Sequence, residues 1–185
     1  MKKTYQCLDV QEYKKNEFSL VPIRLEDRYK IMQWRNEQMY HLRQSKTLTR
    51  QEQDRYFNTV VLSLFDQEKP DQVLFSFLKK KDCVGYGGLV HIDWREKTAE
   101  ISFIINTALE NESFIDFWLI YLKLIEDVAF QQLQLGKIFI YSYELRPELY
   151  KVINLALFRE EKRIKRVKKI NNDWVDALIH SKYIE

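Results

Sequence analysis

Apolar and polar residues alternate from Phe18 to Ile23, the period of a half-buried strand. Leu25 to Asn36 then changes to helical spacing, with Ile31, Met32 and Trp34 on one side. Thr49 and Glu52 form a Thr-x-x-Glu capping signal ahead of Tyr56, Phe57 and Val60, which predicts a second helix over Thr49 to Val61. Three β-rich runs follow, Val73 to Lys79, Cys83 to Trp94 and Lys97 to Asn106. The short polar breaks between them predict an antiparallel meander. Ser113 to Leu133 is the longest helical signal, with Phe117, Tyr121, Leu124 and Val128 in one stripe and Trp118, Leu122, Ile125 and Ala129 beside it. Gly136 ends it. Lys137 to Glu144 reads as a strand, Pro147 to Leu157 as a short helix, and Arg159 to Val167 with Asp173 to Ser181 as a closing hairpin around Asn171-Asn172. The predicted order is βααβββαβαββ.

At 185 residues, with no repeat, low-complexity tract or linker, the chain is expected to be one domain over residues 1–185 with one core. Apolar residues at 45% and charged residues at 31% exclude disorder by composition. No run approaches the ~20 apolar residues of a spanning helix, and Met1 to Asp9 lacks a signal-peptide pattern, so a cytoplasmic protein without membrane contact is expected. Cys7 and Cys83 lie far apart without CxxC spacing, which predicts reduced thiols, no disulfide and no metal site. The net charge of +3 is concentrated in Arg159, Lys162, Arg163, Lys165, Arg166, Lys168 and Lys169. Ile164 and Val167 interrupt that run as inward strand residues do, which favours a solvated face over a nucleic-acid surface.

Several stretches resemble one family. Leu20-Val21-Pro22-Ile23 with Trp34-Arg35-Asn36, Val84-Gly85-Tyr86-Gly87-Gly88-Leu89, Ala99-Glu100-Ile101-Ser102-Phe103-Ile104-Ile105, Pro147-Glu148 through Val152-Ile153 to Phe158, and Asn172-Asp173-Trp174-Val175-Asp176 are similar to the GNAT N-acetyltransferase superfamily. The likeness is to the branch acting on ribosomal proteins and amino sugars. The resemblance implies a mixed α/β fold with a mostly antiparallel central sheet flanked by helices. It also implies acetyl-CoA as co-substrate, a small amine or a protein N-terminus as acceptor, and a monomer or homodimer.

Phe103, Ile104 and Ile105 would then line the slot for the donor's pantetheine arm, with the Ile104 N–H stabilising the oxyanion. Ser113 and Phe114 would meet the donor's phosphates and Asn154 its arm. The family's glycine-rich phosphate loop falls at Ser113, Asp116 and Trp118, where no glycine stands and Glu110, Glu112 and Asp116 bring negative charge. Glu100 is the candidate base, its alternative an outward residue of an antiparallel strand. His91 is a candidate proton relay or a surface histidine. Tyr150 is the candidate acid, although the family's usual position falls on Ile153, and core packing explains it equally. Trp34, Arg35 and Asn36 would build the acceptor pocket, continued by Tyr40, His41 and Arg43, with Trp34 also suited to the core. Most of the aromatic rings, which include Tyr141 and Tyr143, fit the core rather than a stacking surface for nucleic acid. The glycine-free loop keeps open a second reading, a non-catalytic descendant of the fold that binds a ligand or partner.

Overall fold

The computed structural model describes residues 3–170 and 172–184. Strands β1 (Tyr13–Lys15), β2 (Phe18–Pro22), β3 (Val73–Lys79), β4 (Asp82–Asp93), β5 (Thr98–Ile105), β6 (Lys137–Tyr143), β7 (Arg159–Ile170) and β8 (Asp173–Tyr183) form one sheet. Its spatial order is β1-β2-β3-β4-β5-β6-β8-β7. Helices α1 (Arg28–Glu37), α2 (Arg50–Tyr56), α3 (Leu62–Leu64), α4 (Glu110–Glu126) and α5 (Pro147–Leu155) flank it. The expected mixed α/β architecture is present. All pairings are antiparallel except β5 with β6, which are joined through α4.

The helices follow from their sequences. Thr49 caps α2, its hydroxyl accepting from the Glu52 N–H at 3.2 Å while the Glu52 carboxylate accepts from the Thr49 N–H at 2.9 Å. A π turn, Phe57–Val61, then carries the helix into α3, past the expected end. Helix α4 starts three residues earlier than predicted and buries Phe114, Phe117, Trp118, Tyr121, Leu122, Leu124 and Ile125 against the sheet. Gly87 of β4 leaves room for that approach, and Gly88 for the close pairing with β3. A Cβ on Gly87 would lie 2.2 Å from the Ser102 carbonyl oxygen and 2.5 Å from the Tyr121 hydroxyl, and one on Gly88 would lie 2.1 Å from the Val73 carbonyl oxygen.

The alternation did not reveal β1, three residues paired to β2 with Tyr13 buried edge-on against Phe75. The closing hairpin is longer than expected, and Asn171 of its predicted turn lies outside the described residues. Ile164 and Val167 are both half-buried although three residues apart. Strand β7 bulges between Ile164 and Lys168, with Arg166 at φ 56° and its N–H bonded to the Asp176 carboxylate at 2.9 Å. The basic run is largely exposed, and Arg163 is paired with Glu144 at 2.6 Å and Asp176 at 3.3 Å. No helix among the described residues is long and apolar enough to cross a membrane.

Candidate active site

Strands β5 and β6 pair only at Thr98↔Lys137, Ala99↔Ile138 and Glu100↔Phe139, and then diverge. Beyond Glu100 the β6-facing edge of β5 therefore has no strand partner. Which backbone groups it presents is set by the ladder with β4. Asn106 donates to the Val84 carbonyl at 2.8 Å, and antiparallel bonds alternate, so Ile104 and Ser102 also bond toward β4. The Ile104 N–H is thereby spent on Tyr86. This corrects the expectation that Ile104 supplies the free donor: Phe103 and Ile105 face the gap. The Ile105 carbonyl accepts from the fully buried Gln38 side chain at 2.8 Å, whereas the Phe103 N–H and carbonyl have no backbone partner there.

A cavity of about 430 Å³ fills the gap between β5, β6 and the loop after α1. Phe103 stacks on Tyr121 at 3.7 Å and meets Trp118 edge-on at 4.9 Å, making an aromatic floor. Three buried side-chain polar atoms lack a hydrogen-bond partner among the described residues. Two of them, Trp118 Nε1 and Ser142 Oγ, belong to residues lining this cavity. A buried polar group left unpaired costs about 1–3 kcal/mol, so each of these atoms is open to a partner from water or from a ligand.

Glu100 sits where the two strands part, its side chain only 7% exposed. It is not the outward strand residue of the alternative reading. The Arg43 guanidinium pairs with Oε1, and His91 Nδ1 lies 3.0 Å from Oε2. His91 reaches it through a bulge. The β4–β5 register shifts between Val90 and Asp93, and His91 takes φ 50°, which re-aims its ring toward the carboxylate opposite Val90 while leaving it mostly exposed.

The loop carrying Arg43 is tied down by Asn36, whose amide bonds the Leu48 carbonyl at 2.9 Å, the Leu48 N–H at 2.8 Å and Gln44 at 2.9 Å. Asn36 therefore organises the pocket wall rather than facing an acceptor. Arg35 lines the cavity beside Gln44 at 3.1 Å, while Trp34 is in the core. Tyr141 and Tyr143 are half-buried and line the cavity rather than the core, with Arg43 over the Tyr141 ring at 4.9 Å. Tyr150 is absent from that lining. Its hydroxyl points back to the Tyr143 carbonyl at 3.4 Å and its ring packs on His180, so the expected acid lies away from Glu100. Ile153 is fully buried. Asn154 is exposed on the last turn of α5, also outside the cavity.

Ser113 and Phe114 line a second cavity of about 600 Å³ at the N-terminal end of α4, rimmed by Glu110, Glu112, Asp116 and Glu148. Arg146, which the sequence did not single out, borders both cavities. It pairs with Glu110, donates to His41 Nε2 at 3.0 Å and lies over Phe114 at 4.6 Å. Burial, and then the Arg146 charge, push the His41 pKa down to about 3, so His41 is neutral at physiological pH; its Nε2 lies between Arg146 and Gln38 Oε1 at 3.2 Å. Burial raises the Glu110 carboxyl against the opposing pull of Arg146.

A family model described as an acetyltransferase (GNAT) domain matches residues 20–179. No curated protein matches the chain. Among solved structures, spermidine N-acetyltransferase from Vibrio cholerae, in complex with CoA and spermine, superposes with a TM-score of 0.78 at 18% identity, over 91% of this chain and 96% of that one. Ribosomal-protein-S5-alanine acetyltransferase from Vibrio fischeri gives 0.72 at 16% identity, over 95% and 97%. A dodecameric spermidine N-acetyltransferase structure from Vibrio cholerae gives 0.72 at 17%, over 91% and 95%. At these identities the likeness shows the fold.

Proposed function

The chain belongs to the GNAT acetyltransferase family, and on that premise we propose that it transfers an acetyl group from acetyl-CoA to the amine of a small acceptor that also carries negative charge. The observation that carries this reading is the stretch of β5 without a strand partner ending at a buried carboxylate, Glu100. The gap fits the donor's extended arm. The Phe103 backbone groups, Trp118 Nε1 and Ser142 Oγ all await partners that the arm's amides and carbonyls can provide. The bound donor supplies an activated thioester, so no nucleophilic side chain is required.

The chain's own residues then divide the work. The Phe103 N–H is the donor placed to hold the acyl carbonyl oxygen, which is the task expected of Ile104. Glu100 takes the proton from the acceptor's ammonium group, and His91, bonded to it and exposed, passes that proton to solvent. Tyr141 and Tyr143 bring hydroxyls to the same wall, and burial raises the Tyr141 pKa, which keeps it protonated and able to donate to the leaving thiolate. Alignment of the two substrates in a closed gap supplies much of the remaining rate.

The charge around Glu100 selects the acceptor. Arg35, Arg43 and Lys46 line the cavity, and Arg43 already neutralises Glu100, so a polycation meets net repulsion while a neighbouring phosphate or carboxylate is held. Competition assays with acetyl-CoA should give a kcat/KM at least about tenfold higher for an amino-sugar phosphate than for spermidine, a difference of about 1.4 kcal/mol. Preference for spermidine would defeat the acceptor assignment. Acetyl-CoA binding without transfer to any amine would favour a non-catalytic binding protein.

A further inference from the structure

The acidic cavity at the end of α4 conflicts with a donor that carries phosphates, and one residue resolves the conflict. We propose that Arg146 is the cation that receives the donor's phosphates and that Glu110 is its counter-ion in the resting protein, so that Glu110 competes with the donor from within the chain. This inference rests on reading the gap as the donor site.

Arg146 precedes Pro147, the first residue of α5, and stands at the N-cap of that helix with φ −128° and ψ 88°. That side chain is 10% exposed and forms part of the wall of both cavities. Because both cavities share Arg146 in their walls, an arm reaching from Glu100 and Trp118 toward the first turn of α4 passes beside its guanidinium. An extended thioester arm with a diphosphate at its far end needs such a path. At the inner end Trp118 Nε1 is buried without a hydrogen-bond partner, as a donor to a carbonyl of such an arm would be before it arrives.

At the outer end, Glu110, Glu112, Asp116 and Glu148 line the cavity together with Arg146, the one lysine or arginine lining it among the described residues. In this family position backbone N–H groups ordinarily reach a phosphate past glycines, but here side chains stand throughout Glu110 to Asp116. The guanidinium fork suits a phosphate bidentately, yet it is engaged by Glu110 on one side and by the neutral His41 on the other. Displacing Glu110 frees the fork without disturbing the His41 contact. The freed carboxylate stays at the first residue of α4, where the helix dipole favours it.

Calorimetric titration of the full chain with acetyl-CoA and with S-acetylpantetheine, which has the arm but no phosphate, tests this. Glu110→Gln should tighten acetyl-CoA about tenfold and leave S-acetylpantetheine unchanged. Arg146→Met should weaken acetyl-CoA at least about tenfold, again without effect on S-acetylpantetheine, and Arg146→Lys should recover part of the loss. Thermal melts establish that each variant is folded, and the Glu110→Gln gain is a result that misfolding cannot produce. If the wild type binds both ligands and Glu110→Gln leaves acetyl-CoA binding unchanged or weaker, the Arg146 proposal is overturned. If the folded wild type binds neither, the donor-site reading fails and the proposal falls with it.

Discussion

Glu100→Gln is expected to lower kcat/KM about 100- to 1,000-fold near pH 7, the range that removal of a positioned general base produces. The substitution keeps the shape of a buried side chain and its hydrogen bond to His91, and it leaves Arg43, which is about half exposed, to be solvated. Stability should therefore change little. Because the base is needed only to remove a proton from the acceptor's ammonium form, the deficit should shrink as pH rises and more acceptor is present as free amine. That rescue separates a proton-transfer role from a structural one. A melting temperature far below the wild type, or a deficit constant with pH, would assign Glu100 to holding Arg43 and the loop instead. His91→Ala should cost much less, since water can replace an exposed relay.

Trp118→Phe should raise the KM for acetyl-CoA about 5- to 10-fold while leaving the fold intact. The indole is 4% exposed, and its Nε1 has no partner in the free protein, so deleting that N–H removes a desolvated donor that contributes nothing to the unliganded state. Its loss is felt only when the donor arm arrives to accept from it. The smaller ring still meets Phe103 and Phe114, and the cost of the cavity left behind is offset by relief of the unpaired donor. A neutral hydrogen bond contributes about 0.5–1.5 kcal/mol, which is the size of the KM change expected here. A KM unchanged in a folded Trp118→Phe enzyme would mean that the arm passes elsewhere.

Much of the fold was legible because its signals are local. The alternation in β2, the capping box at Thr49 and the wide apolar stripe of α4 each depend on neighbours within a few turns of chain. Strand β1 was not legible, since three residues carry no period and are fixed by pairing across a turn. The site divided along the same line. Glu100 was visible as a carboxylate in an apolar strand, and Arg35 and Arg43 as cations in the last turn of a helix and just beyond it. The parity of β5 could not be read from sequence, because shifting the ladder by one residue exchanges Ile104 for Phe103 at the gap. The bulge that turns His91 toward Glu100 is likewise a property of two strands. Arg146 looked like an ordinary charge before a proline until α4 and the loop after α1 closed around it. Tyr150 failed for a rotational reason: one step around α5 places its hydroxyl over β6 and His180 rather than in the gap.

Amide hydrogen exchange at Phe103, Ile104 and Ile105, with and without acetyl-CoA, tests most directly whether the parted strands hold the donor. Ile104, bonded across β4, should be protected in both states, whereas Phe103 should become protected only when acetyl-CoA is present. An unchanged Phe103 amide at saturating acetyl-CoA, or protection newly appearing at Ile104, would contradict the assignment of this gap as the donor site.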